Sequence, residues 1–197
     1  MGLREKKAQR THHQIVDAAL ELFRVQGYEQ TTIEQIAEKA EVGTSTLYRY
    51  FPSKDLILLD RMSELRTLGP ALRARPAHEP LDRALTEVLL ESLDALYDDP
   101  QMAEIRGIID NAPIPRARLW DVLAIAQDEL ESALAERLGR PRTEPVVMLT
   151  ASTVLQIHRI ASENWMAGDH ATTRSSVLND LLSNLHRTPP ILPSPVQ

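Results

Sequence analysis

Thr44, Ser45, Thr46, Tyr48, Arg49 and Tyr50 fall within seven consecutive residues, and Lys54 follows shortly after. All carry hydrogen-bonding groups, and no carboxylate interrupts residues 42–54. A Thr or Ser hydroxyl can donate to or accept from a base edge, and a Thr methyl can pack on a thymine methyl. Tyr hydroxyls can donate to phosphate oxygens. Arg49 can reach a phosphate or a guanine edge. Lys54 opens a helical stretch, where backbone amides favour an anion, and Thr31-Thr32 offers a second such place. This is the chemistry of holding a polyanion and reading its bases. Bond-making chemistry has no comparable signature. Six histidines are scattered at 12, 13, 78, 158, 170 and 186. No H-E-x-x-H, no Gly-rich phosphate loop and no G-x-S-x-G elbow occurs. There is no cysteine, so no disulfide and no thiolate metal site. We expect no enzyme, no cofactor and no metal.

The elements that position these residues are helices. Ala, Leu, Glu and Arg are common, aromatics are 4%, and no run alternates with period two. At about 100° per residue, Leu47 and Phe51 share one stripe of 44–51, with Ser45 and Arg49 opposite. Thr44 and Tyr48 lie on one flank, Thr46 and Tyr50 on the other. The segment thus has a narrow apolar stripe and a wide polar face bearing two tyrosines. Upstream, Thr32 followed by Gln35 is a capping-box pattern opening "TTIEQIAEKA". A short turn, "EVG", separates the two. That order is a helix-turn-helix over 32–51, with 44–51 as the recognition helix. Before it, Ile15, Ala19, Leu22 and Phe23 mark a helix that Thr11 can cap and Gly27 can end. After it, Ser53 caps a fourth helix over 54–68, ending at Gly69-Pro70.

Residues 9–69 resemble the TetR family of bacterial transcription regulators. The likeness rests on "AALELFRVQGYEQTTIEQIAEKAEV" and above all on "TLYRYFPSKDLIL". The resemblance implies that Thr44, Ser45 and Thr46 occupy the base-reading end of the recognition helix. It implies that Tyr48 contacts a base or phosphate, that Tyr50 and Lys54 contact phosphates, and that Thr31 and Thr32 lie at the backbone-contacting start of the second helix. Two positions depart from the usual pattern. Glu41 stands in the turn where glycine is common, at a cost of roughly 1 kcal/mol if the turn is left-handed; Gly43 can take over some of that freedom. Thr44 stands where many relatives carry lysine, so the recognition helix is poor in cations.

The rest of the chain reads as helices parted by prolines, so the fold class is all-α, about nine helices in all. We expect a flexible basic arm over 1–8, a DNA-binding domain over 9–69, a helical bundle over 70–187 and a Pro-rich tail over 188–197. The formal net charge is −6, yet residues 1–13 hold Arg4, Lys6, Lys7 and Arg10 against Glu5 alone. A basic arm lying on phosphates would compensate for the weakly charged recognition helix. No apolar run is long enough to span a bilayer, and the charged start lacks a signal-peptide core, so a cytoplasmic location is expected. The resemblance further implies a homodimer through the last two helices and a palindromic operator of double-stranded DNA. It also implies a small-molecule effector that releases a repressor. Candidate pocket residues are Met62, Leu65, Tyr97, Met102, Asn111, Trp120, Gln127, His158 and Trp165. The alternatives are a regulator of this fold without ligand response, or an activator.

Overall fold

In the computed structural model the described residues are 2–97, 102–168, 172–191 and 193, apart from the side chains of residues 3, 61, 63, 64 and 97. They form α1 (Leu3–Gln26), α2 (Ile33–Lys39), α3 (Thr44–Tyr50), α4 (Lys54–Leu59), a 3-10 segment (Asp60–Thr67) and α5 (Leu68–Ala74). Then come α6 (Leu81–Tyr97), α7 (Met102–Asn111), α8 (Pro113–Leu138), α9 (Pro145–Ala167) and α10 (Arg174–Arg187). No strand occurs among the described residues, so the all-α expectation holds. None of the described helices is long and apolar enough to cross a membrane.

The helices cluster into two compact units: Met1–Leu65 with Asp99–Ala124, and Arg66–Asp98 with Ile125–Gln197. The expected segments, 1–8, 9–69, 70–187 and 188–197, follow the chain in order, whereas each unit joins two separate stretches. In the first unit α1 packs on α2 and α4, and α2 packs on α3. The buried face of α1 is Ile15, Val16, Ala19, Leu20 and Phe23, two adjacent rows at helical spacing. It meets the demand of Ile36, Ala37 and Ala40 on α2 and of Ile57 and Leu58 on α4, all buried. In the second unit α6 packs on α5, α9 and α10, and α9 packs on α10. Leu89, Leu93, Ala151, Val154, Leu155 and Leu178 are buried there.

Three expected boundaries move, each for a physical reason. The first helix starts at Leu3, not after Thr11, and residues 3–8 continue it. Gly2 caps it, donating its amide to Glu5 Oε2 at 2.7 Å, while the Thr11 hydroxyl donates back to the Lys7 carbonyl at 3.1 Å. The single helix expected over 54–68 is α4, a 3-10 segment and the start of α5. Gly69-Pro70 lies in the first turn of α5 rather than ending a helix. Proline is tolerated there because a first-turn amide has no intrahelical partner. Gly69 answers a close approach: a Cβ on it would sit 2.6 Å from the Glu129 carbonyl oxygen of α8. "APIP", expected from its prolines to interrupt the helix over 98–111, by the same first-turn rule opens α8 at Pro113. The result is ten α-helices among the described residues, against about nine expected.

Candidate nucleic-acid interface

The geometry of α2 and α3 starts at the turn between them. Thr32 caps α2: its hydroxyl accepts the Gln35 amide at 3.3 Å, and Gln35 Oε1 accepts the Thr32 amide at 2.9 Å. This is the reciprocal capping box the sequence indicates. At the other end, the Val42 amide donates to the Ala37 carbonyl and the Glu41 amide to the Glu38 carbonyl, both at 3.0 Å. The pair is a Schellman motif, which requires a left-handed residue just past the helix. That residue is Glu41, with φ 54°. Gly43 does not take over: its φ is −68°, and it serves as the extended cap of α3. The strained position and the glycine are thus two residues apart.

On α3, Leu47 is fully buried and Phe51 nearly so, as the helical wheel requires. His12 of α1 packs on Phe51 with ring centres 4.9 Å apart, and its Nε2 lies within hydrogen-bond distance of Asp60 Oδ1 at 3.1 Å. Ser45, Tyr48 and Arg49 are exposed, and Thr44, Thr46 and Tyr50 are half-buried on the flanks. Tyr48 is 48% exposed, so plain core packing is not its role. The Arg49 guanidinium lies 5.7 Å from the Tyr50 ring centre. Six of the nine candidate residues therefore share one helix with a solvent-facing polar surface.

The other three are placed differently. Thr32 is exposed, at the start of α2. Thr31 is buried, donating its hydroxyl to the Gly27 carbonyl at 2.8 Å and accepting from Gln26 at 3.3 Å. Its hydroxyl closes the α1–α2 turn. Lys54 also turns inward. Its ammonium donates to the carbonyls of Tyr28 at 2.7 Å, Thr31 at 3.0 Å and Glu29 at 3.3 Å, and lies 4.3 Å from the Tyr28 ring centre. An ammonium has three N–H donors, and all three are engaged. Without DNA, Lys54 clamps the turn that leads into α2.

Two charged pairs absent from the sequence analysis matter here. Asp55 is buried at the start of α4, and one of its oxygens has no hydrogen bond. Arg118 of α8 stands 3.6 Å away and offsets its charge. The Lys39–Glu21 pair at 2.7 Å ties α2 to α1. A carboxylate inside the apolar run "KDLILL" was the available signal for Asp55. Its partner, 63 positions on, gave none.

Five of the nine candidate pocket residues belong to the first unit and four to the second. Met62, Leu65 and Met102 are core of the first unit, and Trp120 is 69% exposed on α8. The side chain of Tyr97 lies outside the described residues. Gln127 donates to Glu131 at 2.9 Å within α8. Trp165 faces Arg174 at 5.4 Å. His158 is buried between Ser92 Oγ at 3.1 Å and Ser162 Oγ at 3.5 Å, and burial lowers its pKa to about 4. It is a satisfied interior histidine. Only Asn111 borders one of the two described cavities, a space of about 450 Å³ in the first unit. The other, about 630 Å³ in the second unit, is lined by Leu85, Leu89, Leu149, Val154 and Ile157 among others, none of them predicted.

Residues 15–60 match the family described as bacterial regulatory proteins, tetR family. The HTH-type transcriptional regulator TcmR of Streptomyces glaucescens is 48% identical over 54% of this chain, a match spanning only 46% of that regulator's length. The HTH-type transcriptional repressor KstR of Rhodococcus jostii is 30% identical over 90% of this chain and 80% of its own. Among solved structures, the transcriptional regulator FadR of Bacillus subtilis, in complex with stearoyl-CoA, shares the fold. Its TM-score is 0.60 at 21% identity, over 88% of this chain and 96% of that one.

Proposed function

We propose, for a chain that belongs to the TetR family of bacterial regulatory proteins, that it binds a palindromic operator as a two-fold dimer and represses until a small molecule releases it. The observation that carries the reading is the surface of α3. Its apolar stripe is buried, while Ser45, Tyr48 and Arg49 face solvent and Thr44, Thr46 and Tyr50 flank them. Hydroxyl-rich helices of this kind read base edges in the major groove while phenols and guanidinium settle on the backbone. Two-fold symmetry of the protein would require half-sites about one helical turn apart.

The dimer reading has its own support. Val146, Met148 and Leu149, at the start of α9, are exposed apolar side chains. Contiguous exposed apolar residues mark interaction surfaces, and α9 with α10 would supply the shared face. The effector reading draws on the 630 Å³ groove among α6, α9 and α10, which opens on that same α9 face through Val146 and Leu149 and has a size that suits small molecules. The FadR relative's stearoyl-CoA is an example of such a ligand in this fold. A DNA-reading role places the chain in the cytoplasm. Native mass measurement of the protein on a selected palindromic duplex tests the assembly. Two chains per duplex are expected; a single chain bound to an intact palindrome contradicts the dimer. A ligand panel that neither shifts the melting temperature nor releases DNA would favour a regulator without ligand response.

A further inference from the structure

We propose that His12, held by Asp60, is a positioning residue for Tyr50 and so for the grip of α3 on the operator backbone. The proposal rests on the DNA-reading role of α3 and adds to it a residue from another helix. Three elements meet at the His12 side chain. It projects from α1, and its ring centre lies 4.9 Å from that of Phe51, the residue that ends α3. The Tyr50 ring is 6.4 Å away and meets it edge-on. The imidazole Nε2 lies 3.1 Å from Asp60 Oδ1, where α4 gives way to the 3-10 segment. Aromatic rings at such separations and tilts attract one another. Tyr50 has a second neighbour in the Arg49 guanidinium, 5.7 Å from its ring centre.

Stability alone does not account for a histidine here. The His12 and Asp60 side chains are 33% and 25% exposed, and a polar pair so open to water contributes little to folding. A leucine in the same place would cover Phe51 with no polar group to satisfy. What histidine adds is orientation. Phe51 is buried and gives the ring a fixed surface to pack on, while Asp60 anchors Nε2 and so sets the ring plane. The Tyr50 ring meets that plane from the flank of α3, where it is half-buried. With His12 and Arg49 both against it, the Tyr50 ring is confined in the free protein. A phenol confined before binding loses less freedom when it settles on a phosphate, and that saving appears as affinity.

The test uses the full chain carrying 3-fluorotyrosine at its four tyrosines, with the Tyr50 resonance assigned by its loss in Tyr50→Phe. In the free protein, His12→Leu should shift and sharpen the Tyr50 fluorine resonance, because the ring gains freedom. On a duplex recovered by selection, His12→Leu should weaken binding roughly tenfold, the scale of one lost hydrogen bond to a charged group. Affinities are compared at a temperature where every variant is fully folded. In the Tyr50→Phe background the same substitution should change affinity by less than about twofold, since its effect runs through the Tyr50 hydroxyl. Asp60→Ala should reproduce the resonance change. Asp60→Asn, whose amide oxygen can still accept from the imidazole, should restore the parent resonance and affinity. These two variants carry the test if His12→Leu folds poorly. An unchanged Tyr50 resonance, or an affinity loss as large in Tyr50→Phe as in the parent, would overturn the proposal. A parent that binds no duplex, with the resonance change intact, would instead overturn the reading of α3 and leave the positioning of Tyr50 standing.

Discussion

Glu41 is a residue whose place in the fold opposes its own backbone preference. It holds the left-handed corner of a Schellman turn at φ 54°, where a side chain crowds the following carbonyl. Glu41→Gly should therefore stabilise the protein by about 1 kcal/mol, read as a higher denaturant midpoint with unchanged slope. A lower midpoint would mean that the carboxylate contributes something the backbone argument omits. The sequence placed the turn and the strained residue correctly but assigned Gly43 a relief it does not give, because torsion angles leave no trace in composition. Lys54 carries a second residue-scale prediction. With its three donors on the carbonyls of residues 28, 29 and 31, Lys54→Met should lower DNA affinity by loosening the turn. The slope of log affinity against log salt should stay constant, since no phosphate contact is lost. A slope shallower by about 0.9 would restore Lys54 to the phosphate-contacting set. The polar residues of α3 were legible because helical periodicity alone separates their face from Leu47 and Phe51. The inward turn of Thr31 and Lys54 was not, since it depends on carbonyls presented by a loop.

At the scale of elements, close packing and one buried imidazole set the limits. Gly69 of α5 lies against the α8 backbone at Glu129, closely enough that a methyl group would clash at 2.6 Å. Gly69→Ala should destabilise by about 1–3 kcal/mol despite better helix propensity, the usual cost of forcing atoms into a filled space. An unchanged melting temperature would show that the two helices part easily. His158 links α9 to Ser92 of α6. Its folded pKa of about 4 lies below the ordinary 6.5, because burial disfavours the cation. Between those values the unfolded chain binds more protons than the folded one, so stability falls as pH drops from 6.5 towards 4. His158→Gln should flatten that part of the stability curve, and an equally steep fall in the variant would assign the acid sensitivity elsewhere. Helix existence was readable from the sequence almost throughout. Boundaries near proline were not: the reading took Gly69-Pro70 and "APIP" as stops, whereas first-turn prolines open α5 and α8. The cavity walls were not legible for a related reason. Met, Trp and His at helical spacing fill cores as readily as they line cavities, and the 630 Å³ cavity is framed mainly by Leu, Ile, Val and Thr on faces that periodicity marks simply as apolar.

For the whole molecule, the question is how a chain of net charge −6 holds DNA. Arg4, Lys6, Lys7 and Arg10 are exposed on the first turns of α1, and Arg49 is the one cation within α3. If the start of α1 lies on phosphates, Lys6→Gln with Lys7→Gln should reduce the salt slope by up to about 2. An unchanged slope would leave those lysines as solvated charge. The carboxylates elsewhere limit non-specific association with DNA. The central claim is that α3 reads bases, and its most direct measurement is selection from a random duplex pool, run in parallel with the parent chain and with Thr44→Ala and Ser45→Ala. The parent should recover a palindrome, and each variant should relax or change the preference at symmetric positions in both half-sites. Recovery of the same motif by all three proteins, or of no motif by the parent, would contradict the assignment of α3 as the base-reading element.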